Sequence, residues 1–173
     1  MRAMHPRIRQ LLVMVDQAYD RKSWHGTNLR GSIRGLTAEQ AAWRPAPTRH
    51  NIHELVVHAA YWKYAVCRRF TGADRGSFPL KGSNFFARAT ADAERWREDV
   101  ALLGEMHLRL REAIAQTASR RLDQPLPSSE LTPLTLITGI AAHDLYHAGQ
   151  IQLLKALQYD GSRPRGSRAK RPS

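Results

Sequence analysis

The sequence predicts an all-α protein, a four-helix bundle with long connections and a short extra helix near residues 37–43. Apolar residues recur with the spacing of helix faces over four long segments. No segment shows the alternation that is typical of a half-buried strand. The length of 173 residues suits one domain, and hydrophobic residues make up 42% of the chain, enough for a core.

The first predicted helix begins near Pro6 and is followed by a short one. Its apolar face consists of Ile8, Leu11, Leu12, Val15 and Tyr19. A glycine-containing stretch then interrupts the helical pattern. Thr37 and Gln40 have the spacing of a capping box, which predicts a short helix that ends at Trp43, before Pro45.

The second long helix is predicted from Asn51 to about Thr71. Asn51 is a suitable N-cap, and Glu54 follows three residues later. Residues 71–87 then form the longest irregular stretch. Such a stretch is either a loop that packs over a site or a plain connection between helices.

The last two long helices are predicted from about Thr90 to Ser119 and from Thr132 to about Tyr159, where Gly161 would end the helix. Their interior positions alternate by four and three residues. In the third helix these positions hold Trp96, Val100, Leu103, His107, Leu110 and Ile114. In the fourth helix they hold Leu136, Ile140, His143, His147, Gln150 and Leu154.

Charge and cysteine content narrow the class of protein. The 27 Lys and Arg residues exceed the 15 Asp and Glu residues, which gives a net charge of +12. We expect residues 1–160 to form the bundle and residues 161–173 to be a disordered basic tail. A single cysteine excludes an intramolecular disulfide. Neither an apolar run long enough to span a membrane nor a signal peptide is evident, so we expect a cytoplasmic protein without membrane contact.

Two histidines occupy interior positions of the fourth helix. His143 and His147 are four residues apart, so both imidazoles project from one face, as two ligands of one metal ion would. A third ligand would come from another helix. Spacing places His58 and His107 toward the interior and does not decide between them.

A family resemblance does decide. The segment around His58, from Ile52 to Trp62, and the segment from His143 through His147 and Gln150 resemble the DinB-like (DNA-damage-inducible) superfamily of metalloenzymes over residues 6–158. The resemblance implies a homodimeric four-helix bundle in which His58, His143 and His147 bind a divalent metal. Imidazole ligands suit both zinc and nickel.

Other polar residues near this motif have weaker roles. Gln150, on the interior face, is expected to bond a ligand histidine or a metal-bound water. Glu54 and His25 are further candidates for this hydrogen-bonding role, although we expect Glu54 to be exposed. Asp144 is predicted to face solvent or a dimer partner. Cys67 lies 2.5 helical turns after His58 and would face away from it.

Three neutral imidazoles would leave a position open on the ion, as in catalytic sites. Such an ion lowers the pKa of a bound water to about 7 or holds a thiol as its thiolate. The resemblance implies a thiol-dependent S-transferase or isomerase that takes a low-molecular-weight thiol and a small-molecule substrate. A metal-dependent hydrolase is the alternative, and the sequence identifies no catalytic base. A non-enzymatic protein that binds nucleic acid through its basic tail is a third, less favoured interpretation.

Overall fold

The computed structural model describes residues 4–127 and 129–162, and within them all regular structure is helical. The helices are, in chain order, α1 (Pro6–Tyr19), α2 (Leu29–Ser32), α3 (Ala38–Ala42), α4 (Ile52–Thr71), α5 (Ala93–Gln116) and α6 (Pro133–Ser162), with a 3₁₀ turn at Ser119–Arg121.

The four long helices close into a bundle. Helix α1 packs against α5 and α6, and α4 packs against the same two helices, so α1 and α4 lie diagonally opposite each other. Helix α2 packs on α6, and α3 packs on α4. This arrangement confirms the predicted four-helix bundle and its short extra helix.

Side-chain caps fix most of the helix starts. Thr37 and Gln40 form the predicted capping box of α3, and the Asn51 Oδ1 accepts a hydrogen bond from the Glu54 amide at 2.8 Å. Helix α5 begins three residues later than Thr90 because Asp92 accepts the first free amides. The sequence did not predict α2, where the Asn28 side chain accepts from the Gly31 amide.

Helix α6 is longer than expected, since it continues through Gly161 to Ser162. A glycine costs only about 1 kcal/mol in a helix, too little to end one by itself. Most of the predicted basic tail, residues 163–173, lies outside the described residues. No helix of residues 4–127 or 129–162 is both long and apolar enough to cross a membrane.

A buried polar layer divides the core into two apolar clusters. Along α4, α5 and α6 the residues between the clusters include Lys63, His107 and Asp144. Lys63 and Asp144 are fully buried and form an ion pair between α4 and α6. The prediction that Asp144 faces solvent or a partner was therefore wrong, because a lysine on the neighbouring helix compensates its buried charge.

Candidate metal centre

Three imidazoles meet between α4 and α6, close to the polar layer. The His143 Nε2 lies 3.1 Å from the His58 Nε2 and 3.0 Å from the His147 Nε2. All three ligand atoms lie within 4.8 Å of one another. His58 and His147 are buried, and His143 is half-buried. The structure thus brings together the three residues that the resemblance implies, and does so in a group that could hold a metal ion.

Hydrogen bonds orient two of the rings. The His58 Nδ1 donates to the Asn84 carbonyl oxygen at 2.9 Å, and the His147 Nδ1 donates to the Gln150 Oε1 at 2.6 Å. Since Nδ1 carries the hydrogen in both neutral rings, each Nε2 presents a lone pair toward the centre. Gln150 is itself held by the Tyr146 hydroxyl, which accepts from its Nε2 at 3.1 Å.

All three histidines are held in the neutral form that binds metals. Burial lowers the pKa of His143 to about 3, and the neighbouring His147 and His58 lower it further. Burial also lowers the pKa of His147 to about 4, against an opposing effect of its bond to Gln150. The pKa of His58 is lowered by burial as well. At neutral pH all three rings are therefore uncharged, and no protonated imidazole supplies a positive charge between them.

The donor set fits a divalent ion. A hydrogen on the His143 Nε2 could be donated to only one of the two neighbouring Nε2 atoms. At least one Nε2 lone pair would then point toward the other rings without a hydrogen-bond donor. One cation satisfies all three nitrogens. Tetrahedral zinc with Zn–N bonds of about 2.0–2.1 Å holds its nitrogens about 3.3 Å apart, close to the two short separations seen here.

The long connection between α4 and α5 contributes directly to the site. Asn84 has a φ of 66°, its carbonyl accepts from His58, and its Oδ1 accepts from the Trp62 Nε1 at 3.0 Å. The next residue, Phe85, stacks on the His58 ring with centroids 4.0 Å apart. Of the two interpretations of residues 71–87, the structure supports a loop that packs over the site. Nothing in the sequence spacing indicated Asn84.

A cavity of about 670 Å³ opens onto the three histidines. Much of its wall is apolar and comes from Pro45, Leu55, Phe85, Leu153, Leu154 and Leu157. Its polar groups, besides the three histidines and Gln150, include Arg49, His50 and Tyr146. This volume suits a small organic molecule.

Glu54 lies behind the cavity wall and is buried, contrary to the expected exposure. Its carboxylate accepts from Arg44 at 2.6 and 2.9 Å and from the His50 Nδ1 at 2.9 Å. Burial alone would raise the pKa of Glu54, but the bonds from Arg44, His50 and the Arg88 amide outweigh it and lower the pKa to about 2. Glu54 thus orients His50 and is not among the groups bonded to the three histidines.

The structure separates the other candidates from the centre. His107 stacks on Tyr19 with centroids 3.8 Å apart and is not in the three-histidine group. His25 is exposed between α1 and α2. His53, which spacing did not place inside, is fully buried and bonds Asp99 at 2.8 Å.

Cys67 does not belong to the centre either. Its sulfur lies 3.9 Å from the Arg109 carbonyl oxygen. Burial raises the pKa of its thiol, so the nucleophilic thiolate is disfavoured.

The fold and the site together define a class, that of helical bundles in which histidines from two helices form a group that could hold a metal ion. Within it, the chain belongs to the DinB superfamily, whose family model matches residues 22–151. Comparisons with curated proteins and with solved structures gave no match. The family accounts for the four-helix bundle fold, and no particular activity follows from the fold alone.

Proposed function

We propose that the protein is a metalloenzyme that binds a divalent ion, zinc or nickel, through His58, His143 and His147. We propose further that it uses the ion to activate a low-molecular-weight thiol for attack on a small electrophile, as an S-transferase or isomerase does. The observation that carries the proposal is the convergence of three histidine Nε2 atoms beside an open cavity. When bound, the ion would act as a Lewis acid that favours the thiolate form of the thiol.

Residues of the cavity supply the remaining chemistry. His50 lines the cavity and donates its Nδ1 hydrogen to ionised Glu54, so its Nε2 is the atom that can take up a proton released by the thiol. The arrangement of a histidine oriented by a buried carboxylate is common among general bases. Spacing along the sequence gave no reason to select His50.

The cavity also indicates the chemical class of the substrate. Among the described residues that line it there is no Asp or Glu, and Arg49 adds a positive charge. Leu153 and Leu157 remain exposed on its rim. A partly apolar molecule with an acidic group, such as a carboxylate, fits these walls.

Metal-dependent hydrolysis is the second candidate. It is favoured by the His50–Glu54 pair, which could equally accept a proton from water. A cobalt-substituted protein distinguishes the two. Under the thiol proposal, cysteine or glutathione produces a new sulfur-to-metal absorption band that the His143→Ala variant lacks. A cobalt protein that shows no band with any small thiol, but cleaves an activated ester faster than the variant, would favour the hydrolase.

Metal content tests the first step of the proposal. We expect protein purified without chelator to hold about one divalent ion per chain, and His143→Ala or His147→Ala to lose it. His107→Ala is the matched control, since it removes a buried histidine outside the group, and it retains the ion. Elemental analysis of the three variants checks this. Equal metal content in all of them would contradict the ligand assignment.

We also propose that the protein is a homodimer, as the resemblance implies. Exposed apolar side chains on α6, namely Tyr146, Leu153 and Leu157, lie at the rim of the histidine cavity, and a second copy packed there would complete the wall of that cavity. Light scattering of the metal-loaded protein decides between monomer and dimer.

A further inference from the structure

A second cavity, of about 620 Å³, lies between α4 and the segment of residues 75–83. No residue lines both this cavity and the one at the three histidines. Its volume also lies in the range of small-molecule sites. The proposed metal chemistry gives this second cavity no role.

The second cavity is strongly cationic. Arg68, Arg69, Arg75 and Lys81 line it, and no Asp or Glu does. Within the described chain, none of these four side chains takes part in an ion pair. Asp74 lines an adjoining cavity that shares Arg68, Arg69 and Arg75 with this one, so only Lys81 among the four cations faces this cavity alone. Four like charges around one concavity repel one another, and a multiply charged anion would relieve that repulsion.

The same cavity has aromatic walls. Tyr61, Trp62 and Tyr64 line it, and Phe78 packs edge-to-face against Tyr61 with centroids 5.4 Å apart. The Trp62 ring is held by the bond from its Nε1 to the Asn84 Oδ1 at 3.0 Å. The Arg69 guanidinium lies over the Trp62 ring, 5.8 Å from its centroid, so a ligand ring stacked on that face would displace it. A planar ring stacked on these walls would sit beside the cations.

We propose that this pocket binds a small organic phosphate that carries a planar ring, the chemistry of a nucleoside diphosphate. Arg68, Arg75 and Lys81 hold the phosphate oxygens through charge-assisted hydrogen bonds. Trp62 stacks on the ring. The bounded, concave shape favours a small ligand over a nucleic-acid strand, which needs an extended groove. The site requires no metal ion, so this proposal can be tested independently of the metalloenzyme proposal.

Calorimetric titration of the full chain tests the pocket, in chelator and at about 0.15 M salt, where nonspecific surface attraction is screened. The probes are ADP, inorganic pyrophosphate, adenosine and a single-stranded thymidine oligonucleotide. We expect ADP to saturate one site per chain, and pyrophosphate and adenosine to bind more weakly. An oligonucleotide that binds while ADP does not would overturn the proposal in favour of nucleic acid.

Charge-reversal variants locate the site. Arg75→Glu/Lys81→Glu weakens ADP binding about tenfold or more. The control Lys22→Glu/Arg120→Glu makes the same change in net charge at exposed residues outside the lining, and it changes ADP binding less than about twofold. Equal weakening in both pairs would mean that ADP only senses the overall charge, and would refute the pocket.

Two further variants complete the test. Trp62→Leu weakens ADP binding but leaves pyrophosphate binding intact, which also shows that the variant is folded. ADP binding persists in His147→Ala, because His147, unlike His58 and His143, has no ring contact with Trp62 and does not line this cavity. Loss of ADP binding in His147→Ala would place the ligand at the metal centre and contradict the proposal.

Discussion

Gln150 is the side chain that sets the orientation of His147. Its Oε1 accepts from the His147 Nδ1 at 2.6 Å, while its own Nε2 donates to Tyr146. Gln150→Leu removes the acceptor, so the ring loses its fixed tautomer, and we expect the metal affinity to fall about 10–100-fold. A competition titration against a chromogenic chelator measures the affinity.

The neighbouring Gln152 supplies the control for this experiment. It is exposed, two residues further along α6, so Gln152→Leu makes the same change of side chain without touching the centre. Its metal affinity should match that of the unmodified protein. If both variants bound the ion equally well, Gln150 would have no part in orienting the ligand.

The sequence predicted those site residues whose arrangement depends on neighbours close along the chain, and missed features that depend on partners from distant segments. His143 and His147 were found because helical spacing is local. His58 was chosen over His107 by resemblance, and the structure shows that spacing could not have decided, since both are buried. The expected exposure of Glu54 and Asp144 was wrong. Their partners, Arg44 and Lys63, come from other segments, and no local pattern records such pairing.

Among the elements, the contact between α4 and α6 matters most, because it brings His58 to the other two histidines. The buried Lys63–Asp144 ion pair joins the same two helices. Burial raises the pKa of the Asp144 carboxyl, and the charge of Lys63 opposes that effect. Each partner of the pair thus makes burial of the other tolerable.

Removing one partner of this pair should therefore be costly. Lys63→Met leaves a carboxylate buried alone, and we expect it to lower the free energy of unfolding by about 3–5 kcal/mol. The double variant Lys63→Met/Asp144→Leu should recover most of that loss. Urea denaturation measures the two single variants, Lys63→Met and Asp144→Leu, and the double variant, with Lys22→Met as an exposed control. Losses that simply add in the double variant would show that the two charges do not interact.

The loop that carries Asn84 makes a prediction of its own. Asparagine tolerates the positive φ of 66° better than other residues with a Cβ, and its Oδ1 satisfies the Trp62 indole. Asn84→Gly loses only the bond to Trp62, whereas Asn84→Ala also strains the backbone. We expect the alanine variant to be less stable than the glycine variant by about 1 kcal/mol, and to bind metal more weakly. Thermal denaturation and metal titration compare the two variants. An alanine variant as stable as the glycine variant would contradict the prediction.

At the scale of the whole molecule, the bundle keeps several basic groups uncharged in its interior. Burial lowers the pKa of His107 to about 3, and Lys63 and Arg111 lower it further. His58, His143 and His147 are depressed as well. In the unfolded chain these histidines titrate near a pKa of about 6.5. Protonation therefore favours the unfolded chain as soon as the pH falls below that value.

The free energy of unfolding of the metal-free protein should accordingly depend on pH within a defined range. Above about pH 6.5 neither state takes up protons at these sites, and stability is level. Between about pH 6.5 and 4 the unfolded chain binds protons that the folded protein excludes, so the free energy of unfolding falls by up to about 1.4 kcal/mol per pH unit for each of His107, His143 and His147. Urea denaturation across this range measures the slope. His107→Gln should reduce the slope by one histidine's share. Asp144 contributes equally to the slope in the unmodified protein and in the variant, so the difference between the two slopes reports on the histidine alone. An unchanged slope in His107→Gln would show that this ring does not resist protonation in the folded protein.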